Sequence, residues 1–175
     1  MKLSNQPGCH PQERPIRAYV GLGSNLQDPV RQVKTALAAL DQLPETRVLE
    51  HSALYRSCPL GAVPQPDFVN SVAALETRLS PQALLDCLQK MERQQGRQRD
   101  TVRWGPRTLD LDLLLYGEAC LQTANLTLPH PGLHRRSFVL YPLHEIAPCL
   151  VIPGRGAVVE LLSKVTPEGL EIIDA

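Results

Sequence analysis

Two aspartates, Asp110 and Asp112, lie one residue apart in a stretch that is otherwise rich in leucine. Alternate side chains of a β-strand share a face, so a strand here points both carboxylates the same way, roughly 7 Å apart along the chain. Carboxylate oxygens with open coordination positions suit Mg²⁺ that is shared with a polyphosphate. A solvated strand face paired with nearby arginines is the alternative interpretation. The intervening leucines are predicted to face a core: Leu109, Leu111, Leu113 and Leu115.

A basic segment leads directly to this carboxylate pair. Between positions 93 and 107, five arginines accompany one acid, Asp100, so the local net charge is 5 − 1 = +4 on a chain whose total is zero. Guanidinium groups bind phosphate oxygens in bidentate fashion. The segment and the aspartates together favour a metal–triphosphate complex, whereas a solvated basic loop or a weak RNA-contact patch is the alternative. The arginines are Arg93, Arg97, Arg99, Arg103 and Arg107.

Other side chains suit a flat organic ligand. Phe68 and Asn70 alternate onto one face of a predicted strand, where an aromatic ring supplies stacking and an amide supplies hydrogen bonds; a core position for Phe68 is the alternative. Trp104 lies in the basic segment, either as a packing anchor or to close over a ligand. Gln89 and Glu92 share one face of a predicted helix near that segment, although the pattern alone favours solvent exposure for both.

The elements that must position these residues follow from local signals. Asp28-Pro29 and Ser80-Pro81 each predict a helix N-cap followed by proline at the first helical position. The order strand, helix, strand, strand, helix, strand is the split β-α-β pattern, which predicts an α+β ferredoxin-like sandwich with a mainly antiparallel sheet and helices packed on it. Strands are predicted over 18–24, 48–55, 67–79, 109–116 and 151–152, the first helix is closed by Pro44, and later helical segments are predicted near 135–143 and 158–162.

The bulk composition fits one compact domain of 175 residues, of which 43% are hydrophobic. A balance of 18 basic and 18 acidic residues argues against a broad nucleic-acid or membrane footprint. No apolar run approaches the ~20 residues that span a bilayer, and the five scattered cysteines are typical of reduced cytoplasmic thiols. We expect a cytoplasmic monomer with a flexible extension at 1–16, a single domain at 17–162 and a tail at 163–175.

Two familiar motifs are incomplete. The segment Gly21-Leu-Gly-Ser-Asn-Leu26 lacks the third glycine of a dinucleotide fingerprint, and the chain contains no Gly-Lys pair, which excludes the common phosphate-binding loop. His130 and His134 have a metal-like spacing, but Pro131 and Gly132 prevent a helix between them, so zinc is not expected.

Taken together, these segments resemble the 6-hydroxymethyl-7,8-dihydropterin pyrophosphokinase family over roughly residues 17 to 152. Family members often have Thr-Pro where this chain has Ser57-Cys58, and some have tyrosine where Phe68 stands. The matching segments are Gly21 to Asn25, Tyr55-Arg56, Pro59 to Gly61, Gln65 to Asn70, Glu92 to Gly96, Arg103 to Asp112, Pro129 to Pro131 and Pro142-Leu143.

The resemblance implies transfer of pyrophosphate from ATP to the pterin hydroxymethyl group, with release of AMP. For this reaction we predict that loops 56–66 and 96–106 close after both substrates bind and exclude water. It implies that Asp110 and Asp112 hold two Mg²⁺ and that Arg97 and Arg107 assist catalysis. The implied pterin-binding residues are Ser57, Leu60, Phe68, Asn70, Trp104 and Phe138. The implied ATP-binding residues are Gln89, Glu92, Arg97, Arg99, Arg107, Leu113, His130 and Arg136. The alternatives are a small RNA-binding ferredoxin-like module and another Mg-dependent nucleotidyl transferase.

Overall fold

The computed structural model describes residues 14–59, 64–97 and 105–173. Within these residues, the strands are interrupted by four α-helices and one short 3₁₀ turn. They are β1 (Ile16–Ser24), α1 (Pro29–Leu40), β2 (Thr46–His51), β3 (Leu54–Ser57), β4 (Phe68–Thr77), α2 (Pro81–Gln94), β5 (Asp110–Tyr116), β6 (Leu121–Gln122), β7 (Thr127–Leu128), a 3₁₀ turn (Leu133–Arg135), α3 (Ser137–Ile146), β8 (Val151–Ile152), β9 (Gly156–Ala157), α4 (Val158–Leu162) and β10 (Leu170–Ile173).

A six-stranded antiparallel sheet is the central layer, with the order β10-β3-β4-β1-β5 and with β2 also paired to β4. In chain order β1, α1, β2–β3, β4, α2 and β5 form the split β-α-β arrangement. The predicted α+β ferredoxin-like fold is therefore confirmed. The strand predicted over 48–55 is instead two strands, because Ser52 between them accepts the Val72 N–H at its side chain (3.1 Å) and donates its own N–H to the Val72 carbonyl (2.9 Å).

Helices α1 and α2 cover one face of this sheet, and both begin where the sequence predicts. The Asp28 carboxylate accepts the Arg31 N–H at 3.2 Å, and the Ser80 hydroxyl accepts the Ala83 N–H at 3.2 Å. Helix α1 ends at Leu40, before Pro44. The two helices bury their apolar faces with the sheet in one cluster that includes Val33, Leu37, Leu40, Leu84, Leu85, Leu88 and Met91.

Helices α3 and α4 form a third layer, which packs with Tyr19, Val72 and Leu114 in a second apolar cluster. Both helices were predicted, although α3 runs from Ser137 to Ile146 rather than over 135–143. The sheet is therefore covered on two faces, and residues at its strand ends can meet side chains from α3.

A β-bulge in β5 changes which leucines face which layer. The register with β1 shifts between Tyr19, opposite Leu115, and Val20, opposite Leu113, so Leu114 is an additional residue on the β5 side. Leu111 and Leu113 pack in the first cluster, whereas Leu114 and Leu115 both belong to the second. The predicted strict alternation is therefore wrong at Leu115.

The last strand, β10, pairs with β3 at the edge of the sheet. It lies inside the stretch 163–175 that the sequence assigns to a tail, while β1 begins at Ile16, the last residue assigned to the extension. The six-stranded sheet thus contains residues on both sides of the range 17–162. None of the described helices is long and apolar enough to cross a membrane.

Candidate active site

A cavity of about 330 Å³ lies where β1, β4 and β5 meet α3. It brings together most of the side chains that the sequence singles out from distant parts of the chain. The predicted residues that line it are Ser57, Phe68, Asn70, Arg97, Arg107, Asp110, Asp112, His130, Arg136 and Phe138.

Strand register explains how the two ends of this cavity are joined. One row across the sheet contains Tyr55, Asn70, Gly23 and Asp110, which are paired in that order on β3, β4, β1 and β5. Neighbouring strands are about 4.8 Å apart, so Asn70 and Asp110 are separated by about 10 Å with only a glycine between them. An amide and a carboxylate therefore face the same space from opposite sides.

At the carboxylate end, Asp110 is paired with two arginines. Arg97 donates to its Oδ1 at 2.5 Å and Arg107 donates to its Oδ2 at 2.7 Å. Burial alone would lower the pKa of Arg97, but the negative charges of Asp110 and Glu92 outweigh it and raise that pKa. Arg97 is therefore held as a cation beside the carboxylate that the sequence predicts to bind metal.

Asp112 faces weaker partners. Its Oδ2 lies 3.7 Å from His130 Nε2 and 3.6 Å from Arg136 Nη1. Burial, followed by repulsion from Asp110, raises the pKa of Asp112, and burial lowers the pKa of His130. The Gly132 N–H donates to His130 Nδ1 at 3.2 Å, so in the neutral ring Nε2 carries the proton and directs it toward Asp112.

Glu92 is buried, with 3% of its surface exposed, although the helical pattern favours solvent exposure. Its Oε1 accepts the Leu111 N–H at 2.8 Å and also contacts Arg97 Nη1. Burial raises the pKa of Glu92 to about 7. Glu92 does not line the cavity; it links the end of α2 to the strand between the two aspartates.

At the other end of the cavity, Phe68 from β4 and Phe138 from α3 both line the wall. The Asn70 amide donates to Ser57 Oγ at 2.9 Å and to the Tyr55 carbonyl at 3.3 Å. Because both bonds are donated by Nδ2, the orientation of the amide is fixed, with Oδ1 as its acceptor atom. The Arg136 guanidinium lies 5.9 Å from the centre of the Phe138 ring.

Gly21 and Gly23 form part of the cavity lining, and sequence reasoning missed this role. They alternate along β1 and pair with Asp112 and Asp110 respectively. A Cβ at Gly23 would lie 3.3 Å from Asn70 Oδ1, so the absence of side chains leaves the sheet surface open between the amide and the carboxylates. The Gly-x-Gly alternation on a strand was the available signal. The lining also includes Leu22, Cys58, Ser71, Leu114 and Val139, none of which was singled out as a ligand contact.

Other predicted residues do not reach the cavity. Gln89 is absent from the described lining, and Leu113 is 2% exposed within the first apolar cluster, opposite the aspartates. A ligand contact through the Leu113 side chain is therefore not supported, because that side chain faces the core. Leu60, Arg99, Arg103 and Trp104 lie outside the described residues.

Asn25, buried just after β1, connects two segments that border the cavity. Its Oδ1 accepts the Arg107 N–H at 2.8 Å, and its own N–H donates to the Arg107 carbonyl at 3.1 Å. Its Nδ2 donates to Gln65 Oε1 and to the Pro66 carbonyl, both at 3.0 Å. One side chain thus fixes the segment entering β4 and the segment entering β5.

A comparison with known families fits this geometry. The sequence profile of the family described as 7,8-dihydro-6-hydroxymethylpterin-pyrophosphokinase (HPPK) matches residues 19–148. That match spans well over half of the 175 residues.

The chain belongs to the HPPK family.

Individual HPPK relatives agree with this assignment. The chain is 54% identical over 155 residues to the 2-amino-4-hydroxy-6-hydroxymethyldihydropteridine pyrophosphokinase of Pseudomonas aeruginosa, a match that covers 89% of this chain and 95% of that protein. It is 52% identical over 149 residues to the Haemophilus influenzae protein of the same name, covering 85% and 92% respectively. The match to the HPPK profile contains every described residue that lines the cavity.

The fold is also found in solved structures. A Plasmodium falciparum HPPK-DHPS variant crystallised with pterin and p-hydroxybenzoate superposes with a TM-score of 0.72 at 12% identity, over 93% of this chain. The chain spans about half of that longer protein, 47% of its length. At this identity the similarity supports the HPPK-type fold alone.

Proposed function

We propose that this protein transfers the pyrophosphoryl group of ATP to the hydroxymethyl group of 6-hydroxymethyl-7,8-dihydropterin and releases AMP, as a step of folate biosynthesis. The observation that carries the proposal is the single cavity in which Asp110 and Asp112 lie opposite Asn70 and two phenylalanines. A charged triphosphate and a flat heterocycle need those two environments side by side. Membership of the HPPK family supports the same reaction.

We propose that Asp110 and Asp112 hold two Mg²⁺ ions. Within the described residues, no group of three or more His, Cys, Asp or Glu is arranged to bind a metal. Mg²⁺ suits such a sparse site, because it retains waters and takes its other ligands from substrate phosphates. When bound, the ions neutralise charge on the polyphosphate. Burial and the neighbouring Asp110 raise the pKa of Asp112, so its negative charge is poorly balanced by the protein alone. A bound cation would supply the missing positive charge and stabilise the ionised carboxylate.

The cationic side chains around the aspartates are assigned to the ATP phosphates. Arg97 and Arg107 each pair with one oxygen of Asp110, and a phosphate group offers acceptor oxygens that guanidinium groups bind in the same way as those of a carboxylate. His130 supplies a neutral N–H donor and Arg136 a further cation on the Asp112 side. Gln89, Glu92, Arg99 and Leu113 stay predicted ATP-binding residues on the family resemblance alone.

The aromatic end of the cavity is assigned to the pterin. Phe68 and Phe138 offer ring faces to a planar heterocycle, and the oriented Asn70 oxygen accepts from its N–H edge. Ser57 fixes that orientation. Leu60 and Trp104 stay predicted pterin contacts, and closure of the loops that contain them stays a prediction.

The reaction requires positioning rather than a nucleophilic side chain. The pterin hydroxyl oxygen attacks the β-phosphorus, forms the new P–O bond and gives up its proton to solvent. The bond between the β-phosphorus and the oxygen that bridges to the α-phosphorus breaks, and AMP leaves with that oxygen. Phosphoryl transfer depends mainly on alignment and charge stabilisation, and holding two substrates in line contributes about 7–11 kcal/mol. Arg97 and Arg107 are placed to stabilise the charge that develops on the departing AMP.

The test is AMP release from ATP, Mg²⁺ and the hydroxymethyl dihydropterin. We expect Asp110→Asn and Asp112→Asn each to lower kcat by at least about 100-fold, because each removes a charge from the metal-binding face. Asp86→Asn, on the exposed side of α2, is the matched control and should retain full activity. Release of pyrophosphate instead of AMP would support a nucleotidyl transferase and contradict the proposal.

We also propose a cytoplasmic monomer without a nucleic-acid partner. Among the described residues, no disulfide is formed by Cys58, Cys87, Cys120 or Cys149, and the chain carries no net charge. Analytical ultracentrifugation checks the mass. Salt-sensitive retention of RNA by protein that does not turn over ATP would favour the RNA-binding alternative.

A further inference from the structure

We propose that Tyr55 and Glu145 form a positioning pair that sets the width of the pterin cleft by fixing helix α3 to strand β3. The inference rests on the proposed function, since it assigns the pair to the pterin end of the same cavity. Neither residue lines the cavity, so both act through the residues that their elements carry.

The pair connects the two elements through both oxygens of one carboxylate. Glu145 lies near the end of α3, and its Oε2 accepts the Tyr55 O–H at 2.7 Å while its Oε1 accepts the Ala53 N–H at 2.9 Å. A carboxylate that accepts two bonds from donors two residues apart cannot slide along β3 without losing one of them. Bonds to an ionised acceptor are also shorter and stronger than neutral ones.

On the β3 side, Tyr55 lies opposite one of the proposed pterin-binding residues. It is paired with Asn70, and Ser57, two residues on, is paired with Phe68. The Asn70 amide in turn donates to the Tyr55 carbonyl and to the Ser57 hydroxyl. Tyr55 is 7% exposed, and these bonds join β3 and β4 into one wall of the cleft, which Ser57, Phe68 and Asn70 line.

On the α3 side, the helix carries the opposite wall. Phe138 and Val139 line the cavity from its first turn, and Arg136 lies immediately before it, beside Asp112. Leu140 and Leu143 attach α3 to the sheet by apolar packing, which is non-directional and does not specify the position of the helix along the strands. The Glu145 carboxylate supplies that directional restraint, so the spacing between Phe68 and Phe138 depends on it.

The chain offers a matched control in Tyr116. Like Tyr55, Tyr116 is buried, and its hydroxyl donates to the Leu79 carbonyl at 2.8 Å, but its ring packs in the first apolar cluster, which α1 and α2 cover. Tyr116→Phe therefore removes a comparable buried tyrosine hydrogen bond without touching either wall of the cleft.

The experiment compares Tyr55→Phe, Glu145→Ala, the double variant and Tyr116→Phe with the unaltered enzyme. Pterin Kd is measured with Mg²⁺ and a saturating non-hydrolysable ATP analogue, and the Kd of that analogue is measured alone. We expect pterin Kd to rise five- to tenfold in both single variants and no further in the double variant, while the analogue Kd stays within twofold. Tyr116→Phe should leave both constants unchanged, whatever its effect on the melting temperature.

Pterin binding by the variants at the strength of the unaltered enzyme would overturn the pair's role and leave the proposed function standing. A similar rise in the Kd of the pterin and in the Kd of the ATP analogue would also overturn it, because that pattern indicates that the whole fold has loosened. An unaltered enzyme that neither binds pterin nor releases AMP would overturn the proposed function and the pair together. If Glu145→Ala does not fold, Tyr55→Phe carries the comparison alone.

Discussion

At the scale of single residues, the carboxylate end of the cavity is a set of charges that satisfy one another. Arg97 bridges Glu92 and Asp110, Arg107 takes the second oxygen of Asp110, and Asp112 keeps more distant partners. Under the proposed function, these contacts would be exchanged pair by pair, with the guanidinium groups turning to phosphate and the carboxylates to Mg²⁺. On that proposal, the ion pairs keep the side chains close to the positions that substrate binding requires.

Glu92 predicts a specific pH dependence of stability. Its pKa is raised from 4.5 to about 7 by burial, so between these values the folded protein keeps a proton that the unfolded chain releases. The native state then binds more protons, and the free energy of unfolding falls as pH rises through this range. We expect this fall in the free energy of unfolding to be on the order of 1–3 kcal/mol smaller in Glu92→Gln than in the unaltered protein.

Urea denaturation at pH 5 and pH 8, with EDTA present, measures this difference. Other titrating groups are common to both proteins and cancel when the two pH dependences are subtracted. Identical pH dependences in Glu92→Gln and the unaltered protein would contradict the assignment of the raised pKa to Glu92.

Gly23 predicts a steric limit on the pterin end. A Cβ at this position would lie 3.3 Å from Asn70 Oδ1, whereas at Gly21 its nearest contact is the flexible end of Leu114 at 3.4 Å. We expect Gly23→Ala to raise pterin KM about tenfold or more, since a displacement of a few tenths of an ångström moves the acceptor oxygen. Gly21→Ala is the neighbouring control with the smaller expected effect. Equal KM values for both variants and the unaltered enzyme would show that the Asn70 oxygen does not contact the pterin.

At the scale of elements, Asn25 joins segments that the sheet alone does not hold. Its side chain bonds Gln65 and Pro66 ahead of β4 and Arg107 ahead of β5. We expect Asn25→Ala to lower the free energy of unfolding by about 1–3 kcal/mol, because it leaves the partly buried Arg107 N–H without its acceptor. It should also lower kcat about tenfold, since the backbone that carries the Arg107 guanidinium is released.

Asn125→Ala is the matched control for this prediction, as Asn125 is exposed in the turn between β6 and β7. Kinetics and urea denaturation are compared for both variants. Full kcat in Asn25→Ala, despite a measurable loss of stability, would show that the Arg107 backbone needs no such support.

Sequence reasoning succeeded where an element is specified by its own residues. Asp28-Pro29 and Ser80-Pro81 set helix starts, because capping bonds span only three residues. It failed where the deciding contact is distant in the chain. Burial of Glu92 depends on the Leu111 N–H, and β10 exists because β3 offers an edge to pair with.

The same distinction applies within the site. The Asp110 and Asp112 spacing predicted two carboxylates on one face, and both line the cavity. It gave no sign of the bulge at Leu114, which arises from the pairing of β5 with β1. The role of Gly21 and Gly23 was missed for a related reason: an open patch on a sheet is defined by the side chains around it.

At the scale of the whole molecule, strand β10 supports β3, the strand that carries Ser57 at the proposed pterin end of the cavity. Leu170 is paired with Ser57, and a Cβ at Gly169 would lie 3.0 Å from Cys58 Sγ, so this strand lies against the start of the loop after β3. The match to the HPPK profile ends at residue 148. Residues beyond that match therefore contribute to the fold around the cavity.

Removal of residues 167–175 tests this contribution, because it deletes β10 and retains Val165, which packs on the second apolar cluster. We expect a folded enzyme whose pterin Kd rises at least about fivefold, since β3 becomes an edge strand and Ser57 keeps its partner on β4 but loses Leu170 on β10. The Kd of an ATP analogue should stay within twofold, as Asp110 and Asp112 lie on β5 at the opposite edge of the sheet. Truncation after Ile173 keeps β10 and is the control. Unchanged pterin affinity in the shorter protein, with the fold confirmed by circular dichroism, would show that β3 holds its position without this strand.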